Sequence, residues 1–180
     1  FETCCGAIRK DLFQKLGGFN AKYKGAEVED YELGYRISGI TPIRIDHSLK
    51  VGHQFPGFKK NFRNFFWRGY LWMQIFLKRH RFDSTASTSK EGIRRLLGAF
   101  SLLGFVLMLF LPKNFILIAG CVFLLYILAL KDFLIYLFKE AGFAFSIGGL
   151  FIYMINSVAV VGGVCLALIT SLLTKEKNKP

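Results

Sequence analysis

Leu96–Leu111 reads LLGAFSLLGFVLMLFL and Asn114–Leu130 reads NFILIAGCVFLLYILAL, and neither stretch holds a charged residue. Lys113 separates them, and Ala141–Thr174 is a third uncharged stretch. A bilayer core of about 30 Å takes roughly 20 apolar residues in helix. The first two stretches fall slightly short, but Arg94, Arg95, Lys113 and Lys131 can snorkel to the interfaces. The pattern predicts a tight helical hairpin with Pro112-Lys113 at its tip. It also predicts a third helix over Leu150–Leu173, with Gly148-Gly149 at its start. A soluble helical bundle would show a polar stripe on each helix, and these stretches show none. The expected membrane region is therefore 96–174, with 175–180 as a basic tail.

Working outward, Asp132–Glu140 (DFLIYLFKE) is too short to span and has an amphipathic pattern suited to an interface. The basic segment before Leu96 assigns the N-terminal part to the cytoplasm. Three crossings would then put Lys175, Lys177 and Lys179 outside, against the same rule. Two or three crossings both stay open. The expected localisation is a multi-pass integral membrane protein with residues 1–95 on the cytoplasmic face.

The 180 residues carry 24 Lys+Arg against 12 Asp+Glu, yet 53% are hydrophobic and 20 are Phe. That hydrophobicity excludes a disordered chain. Four Cys exclude a disulfide-stapled mini-protein. The charge is uneven: residues 50–95 hold 11 Lys/Arg against Asp83 and Glu91. No zinc spacing, GxSxG, HExxH or glycine-rich phosphate loop occurs. The chain starts on Phe1 and reads as the C-terminal piece of something longer.

Residues 1–57 carry shorter signals. Thr3–Ile8, Thr41–Asp46 and Leu49–Gly52 read as strands. Arg9–Leu16 and Val28–Ser38 read as helices, stopped by Gly17-Gly18 and Gly39. The alternation predicts part of an α/β layer. Within it, Gly25–Arg36 (GAEVEDYELGYR) crowds Glu27, Glu29, Asp30 and Glu32 at a helix start. Acids favour a first helical turn through the macrodipole, so the cluster alone reads first as a helix-start feature and only second as a catalytic carboxylate.

GAIRKDLFQKLGGF, followed by EDYELGYRISG and a strand pair bearing a His, resembles the C-terminal half of family-2 glycosyltransferases. Gly17, Gly18 and Phe19, then Glu29, Asp30, Leu33 and Arg36, match that family's pattern in order and spacing. The resemblance covers about residues 1–82. It implies a partial GT-A fold, a nucleotide-sugar donor and a divalent metal, Mg or Mn. It also implies Asp30 as the base of an inverting transfer, Glu29 shaping the site and Arg36 pinning the helix. His53 would correspond to a histidine that helps bind the metal in some relatives. The family's nucleotide-binding half and its DxD motif are expected upstream of Phe1. Alone, the chain is expected to bind nucleotide-sugar poorly and to be inactive.

Phe58–Phe82 (FKKNFRNFFWRGYLWMQIFLKRHRF) mixes Phe, Trp and Tyr with Lys and Arg at helical spacing. This predicts an amphipathic helix in the headgroup region of an anionic leaflet. Stacked bases on a nucleic acid are the other reading of such a mixture, and the greasy stretches that follow argue against it. Trp67-Arg68 is similar to part of an interfacial QxxRW motif of membrane polysaccharide synthases, which implies a diphosphate or lipid-phosphate contact. Gln54 is placed at the acceptor side. Residues 83–95 form a polar and basic linker. The implied function is sugar transfer to a lipid-linked or membrane-proximal acceptor. The alternative is a non-enzymatic membrane module, a small transporter or scaffold subunit with a basic cytoplasmic domain.

Overall fold

The computed structural model describes residues 6–23, 28–46, 48, 51, 52, 54, 56–82 and 87–177, with side chains as far as 173. Among them the backbone forms seven α-helices and no β-strand. They are α1 (Lys10–Lys15), α2 (Glu29–Ser38), α3 (Phe58–Arg79), α4 (Ser89–Leu107), α5 (Asn114–Ala129), α6 (Lys131–Ala141) and α7 (Phe143–Lys177).

This overturns the α/β, GT-A-like expectation for the N-terminal part. Thr41–Asp46 carries no strand pairing, and Ile43 and Ile45 stand exposed. Alternation is only a local signal; a strand needs a partner and a layer to cover its apolar face. Gly6–Ile8, Val51 and Gly52 also lie outside any strand, and Thr3–Cys5, Leu49 and Lys50 fall outside the described residues.

α1 stops where the sequence places a glycine pair. The Gly17 N–H donates to the Gln14 carbonyl and the Gly18 N–H to the Phe13 carbonyl, each at 3.0 Å. Both glycines take positive φ, +76° and +70°, which other residues adopt only with strain. The turn is closed by Phe19 edge-on to Phe13, with ring centroids 5.4 Å apart. α2 buries Leu33 and Ile37, with Val28 just before it.

The second core lies among α4, α5, α6 and α7. Tyr126, Leu130, Leu150 and Met154 form its centre, with Leu97, Phe105, Phe123, Phe133 and Tyr153 packed around them. Tyr126 is fully buried, and its hydroxyl donates to the Leu150 carbonyl at 2.9 Å. That bond satisfies the one polar atom such a buried ring brings. Thr88 starts α4 by accepting the Glu91 N–H on its hydroxyl at 3.1 Å. α4 and α5 pack where Gly104 meets Ala119 and Gly98 meets Tyr126. Residues 108–113 join them.

α7 corrects the third stretch. It runs unbroken from Phe143 through Gly148-Gly149, so the glycines do not begin the helix. Gly149 instead takes the Leu137 side chain of α6 against its backbone. Phe143–Leu173 is long and apolar enough to cross a membrane. α5 and α6 pass the same test only taken together, and they are bent by 64° at Leu130. α4 does not pass, because Lys90, Glu91, Arg94 and Arg95 occupy its first two turns.

The largest helix pair is α3 on α7. Gly163 lies against the Phe66 carbonyl and the Tyr70 N–H, and a Cβ on Gly69 would stand 2.6 Å from the Val160 carbonyl oxygen. Two backbones meet here because neither helix has a side chain in the way. The basic aromatic helix therefore sits on the middle of α7 rather than apart from it.

Candidate functional site

The three acids of α2, Glu29, Asp30 and Glu32, all fall in its first turn. Asp30 Oδ1 accepts the Tyr31 N–H at 2.8 Å, so the carboxylate is held against the amide end of the helix. That end favours negative charge. Glu29 and Asp30 are half-buried. Glu27 falls outside the described residues.

Arg36, in the last turn of α2, makes four hydrogen bonds. Its Nε and Nη2 donate to the two oxygens of Glu32 at 2.9 and 2.7 Å. Its Nη1 donates to the Leu16 carbonyl and its Nη2 to the Gly18 carbonyl, the latter at 2.7 Å. The bidentate pair with Glu32 aims the planar fork, and the glycine turn supplies carbonyls that α1 no longer uses. Gly17, Gly18, Phe19, Asn20, Glu32 and Arg36 then line one open cleft of about 270 Å³. Asp30 and Glu29 precede Glu32 on the helix but do not line it.

Leu33 is fully buried beneath α2 and anchors it. Above, the Arg79 guanidinium lies 3.3 Å from the centre of the Tyr35 ring. The end of α3 thus rests on α2, through a cation–π contact. Trp67 is exposed and packs edge-on to Phe66 and Tyr70, with ring centroids 5.4 and 5.7 Å away. Arg68 and Gln54 are exposed as well. None of these three lines the α2 cleft. His53 lies outside the described residues, and among those described no three His, Cys, Asp or Glu come together as a metal site.

A second polar cluster escapes sequence reading. The Tyr153 hydroxyl of α7 donates to Glu91 Oε1 of α4 at 2.6 Å, and Arg95 Nε donates to the same oxygen at 2.9 Å. The Arg95 guanidinium also covers the Tyr153 ring at 3.9 Å and faces Phe65 of α3 at 5.5 Å. Arg94 Nε donates to the Ala129 carbonyl at the end of α5, at 2.9 Å. Four helices meet on these side chains. The available signal was Thr88-Ser89-Lys90-Glu91, a capping-box spacing that marks the helix start, although it does not name Tyr153 as partner.

No protein-family model, curated protein or solved structure matches this chain.

Proposed function

We propose that the chain is the acceptor-side and membrane-anchoring part of an inverting glycosyltransferase. The observation that carries the reading is the Arg36 tether. The glycine turn and the acidic helix are the two motifs that resemble the family, and Arg36 of the second binds the Leu16 and Gly18 carbonyls of the first. Two motifs a dozen residues apart in sequence thus form one unit, as a shared site requires.

In this reading Asp30 accepts the proton of an acceptor hydroxyl as that oxygen attacks the anomeric carbon of the donor. The bond from that carbon to the nucleotide diphosphate breaks, and the diphosphate leaves as an anion. Among the described residues no group of three His, Cys, Asp or Glu could hold a metal ion. Arg36 and Glu32 shape the cleft beside the base rather than reacting.

The same reading places the catalytic part at the cytoplasmic face of a bilayer, with more than one helix embedded. Only 33% of the most apolar window of α7 is buried within the protein, whereas a soluble core helix would be mostly covered. Leu109, Phe110 and Leu117 are each at least 75% exposed, an apolar surface that lipid would cover.

The test is transfer of labelled sugar from a panel of nucleotide-sugars to membrane lipid by the protein expressed from its natural gene. Asp30→Asn is expected to abolish transfer while leaving membrane association intact; full activity in that variant ends the proposal. The second reading, a non-enzymatic membrane module, is favoured by the all-helical arrangement of the described residues. No transfer with any donor, together with stable membrane insertion, would select it.

A further inference from the structure

We propose that Arg94, flanked by Lys90 and Lys131, holds the phosphate of an anionic membrane lipid whose acyl chains lie along the exposed face of α5. The inference rests on the membrane reading above and names a ligand for it.

Glu91 is engaged by Arg95 at 2.8 Å, and Arg94 stands farther from it, at 3.8 Å. Glu91 is therefore largely neutralised by one arginine of the pair. Arg94 keeps a positive charge that only a neutral carbonyl, that of Ala129, addresses closely. The Arg94 side chain is only 30% exposed, so its charge is partly withdrawn from water and favours an anion. Lys90 lies one helical turn before Arg94, and Lys131 follows Ala129 by two residues; both are exposed. Asp132 is the other acid in these segments, and it too is exposed.

On α5, Leu124, Leu125 and Leu128 are exposed in the turns just before Ala129 and Lys131, whereas the exposed apolar side chains of α4 stand on the helix face away from Arg94. Charge and grease thus run in the order of a phospholipid, head then chains. A free phosphate would use only the first of these features. The bond from Arg94 to Ala129 fixes the guanidinium at the α4–α5 seam, so the fork is presented before the lipid arrives.

The experiment is lipid retention by the full chain purified in a neutral detergent and read by native mass spectrometry. The probes are phosphatidylglycerol, phosphatidylcholine and inorganic phosphate. One phosphatidylglycerol per chain is expected, with phosphatidylcholine retained far less. Arg94→Gln should weaken retention by about fivefold, the contribution of one basic side chain at an anionic surface. Lys90→Gln with Lys131→Gln, both on exposed positions, should weaken it by about 25-fold without touching the packed cluster. Lys113→Gln, at the far end of the hairpin, should leave it unchanged. Equal retention of phosphatidylcholine, or wild-type retention in both variants, overturns the proposal. Displacement by millimolar inorganic phosphate overturns the lipid as source. Carbonate extraction of native membranes is the separate readout: release of the chain would sink the membrane reading itself, whatever the lipid data show.

Discussion

The Tyr153 hydroxyl and the Glu91 carboxylate meet at 2.6 Å across 62 residues of chain. The contact joins the first turn of α4 to α7 and holds a carboxylate that Arg95 also binds. A hydrogen bond to a charged, part-buried group contributes about 1.5–3 kcal/mol. Tyr153→Phe is expected to lower the stability of the bundle by about that amount, measured by thermal unfolding in detergent. Tyr153→Phe combined with Glu91→Gln should cost less than the two changes summed, because they remove a shared contact. Strict additivity would show that the pair does not act together.

The α3–α7 crossing predicts a ranking among glycines. Gly163→Ala would drive a Cβ into the Phe66 carbonyl, so α3 must move; a loss of more than about 2 kcal/mol is expected. Gly162→Ala meets only the Phe66 ring, at 3.4 Å, and should cost much less. Gly120→Ala meets nothing within 4 Å and should stabilise α5 by up to about 1 kcal/mol through helix propensity. Thermal midpoints of the three variants give the order directly, and a tolerated Gly163→Ala would mean the helices are farther apart than described.

Arg36→Lys is expected to fail as a substitute for Arg36. A lysine ammonium cannot place donors on Leu16, Gly18 and both Glu32 oxygens at once. Hydrogen exchange at the amides of the glycine turn should accelerate in Arg36→Lys nearly as much as in Arg36→Ala. Wild-type protection in the lysine variant would show that the turn holds without the fork.

Val158 lies at the midpoint of the Phe143–Leu173 span and is 38% exposed. A cation in the middle of a spanning helix opposes insertion by about 2.5–3.5 kcal/mol. Val158→Arg should therefore shift the chain from the carbonate-resistant to the soluble fraction, and Val158→Leu should not. Equal partitioning of both variants would show that this face never meets lipid.

The helices around the glycine turn were legible because their signals are local. Gly17-Gly18 stops α1 through its own backbone, and the acids of α2 sit where its dipole favours them. The pair Glu32 and Arg36 was visible as an i,i+4 spacing, but the reach of Arg36 to Leu16 and Gly18 depends on how α1 and α2 pack. The α/β expectation failed for the opposite reason. Ile43 and Ile45 alternate as a strand does, yet pairing depends on distant chain that no local pattern reports. The long uninterrupted α7 was misread at Gly148-Gly149, because glycine weakens a helix without ending it when a side chain such as Leu137 packs over it. Gly69 meets Val160 and Gly163 meets Phe66, each across more than ninety residues, pairings that neither glycine signals by itself.

The seat of α3 on α7 also sets an order of assembly. α3 leaves the ribosome long before Val160 and Gly163 do, so its main partner does not exist while the segments between them are being made. Until α7 arrives, α3 has its own aromatic contacts, such as Trp72 stacked on Phe76, and two cation–π contacts, to Tyr35 of α2 and from Arg95 of α4. Since Arg79 of α3 in turn supports Tyr35 of α2, the acidic helix acquires its final support only when the last helix docks. Maturation of the candidate site therefore waits on α7, and a chain stalled before α7 would carry every residue of that site without the α3–α7 scaffold.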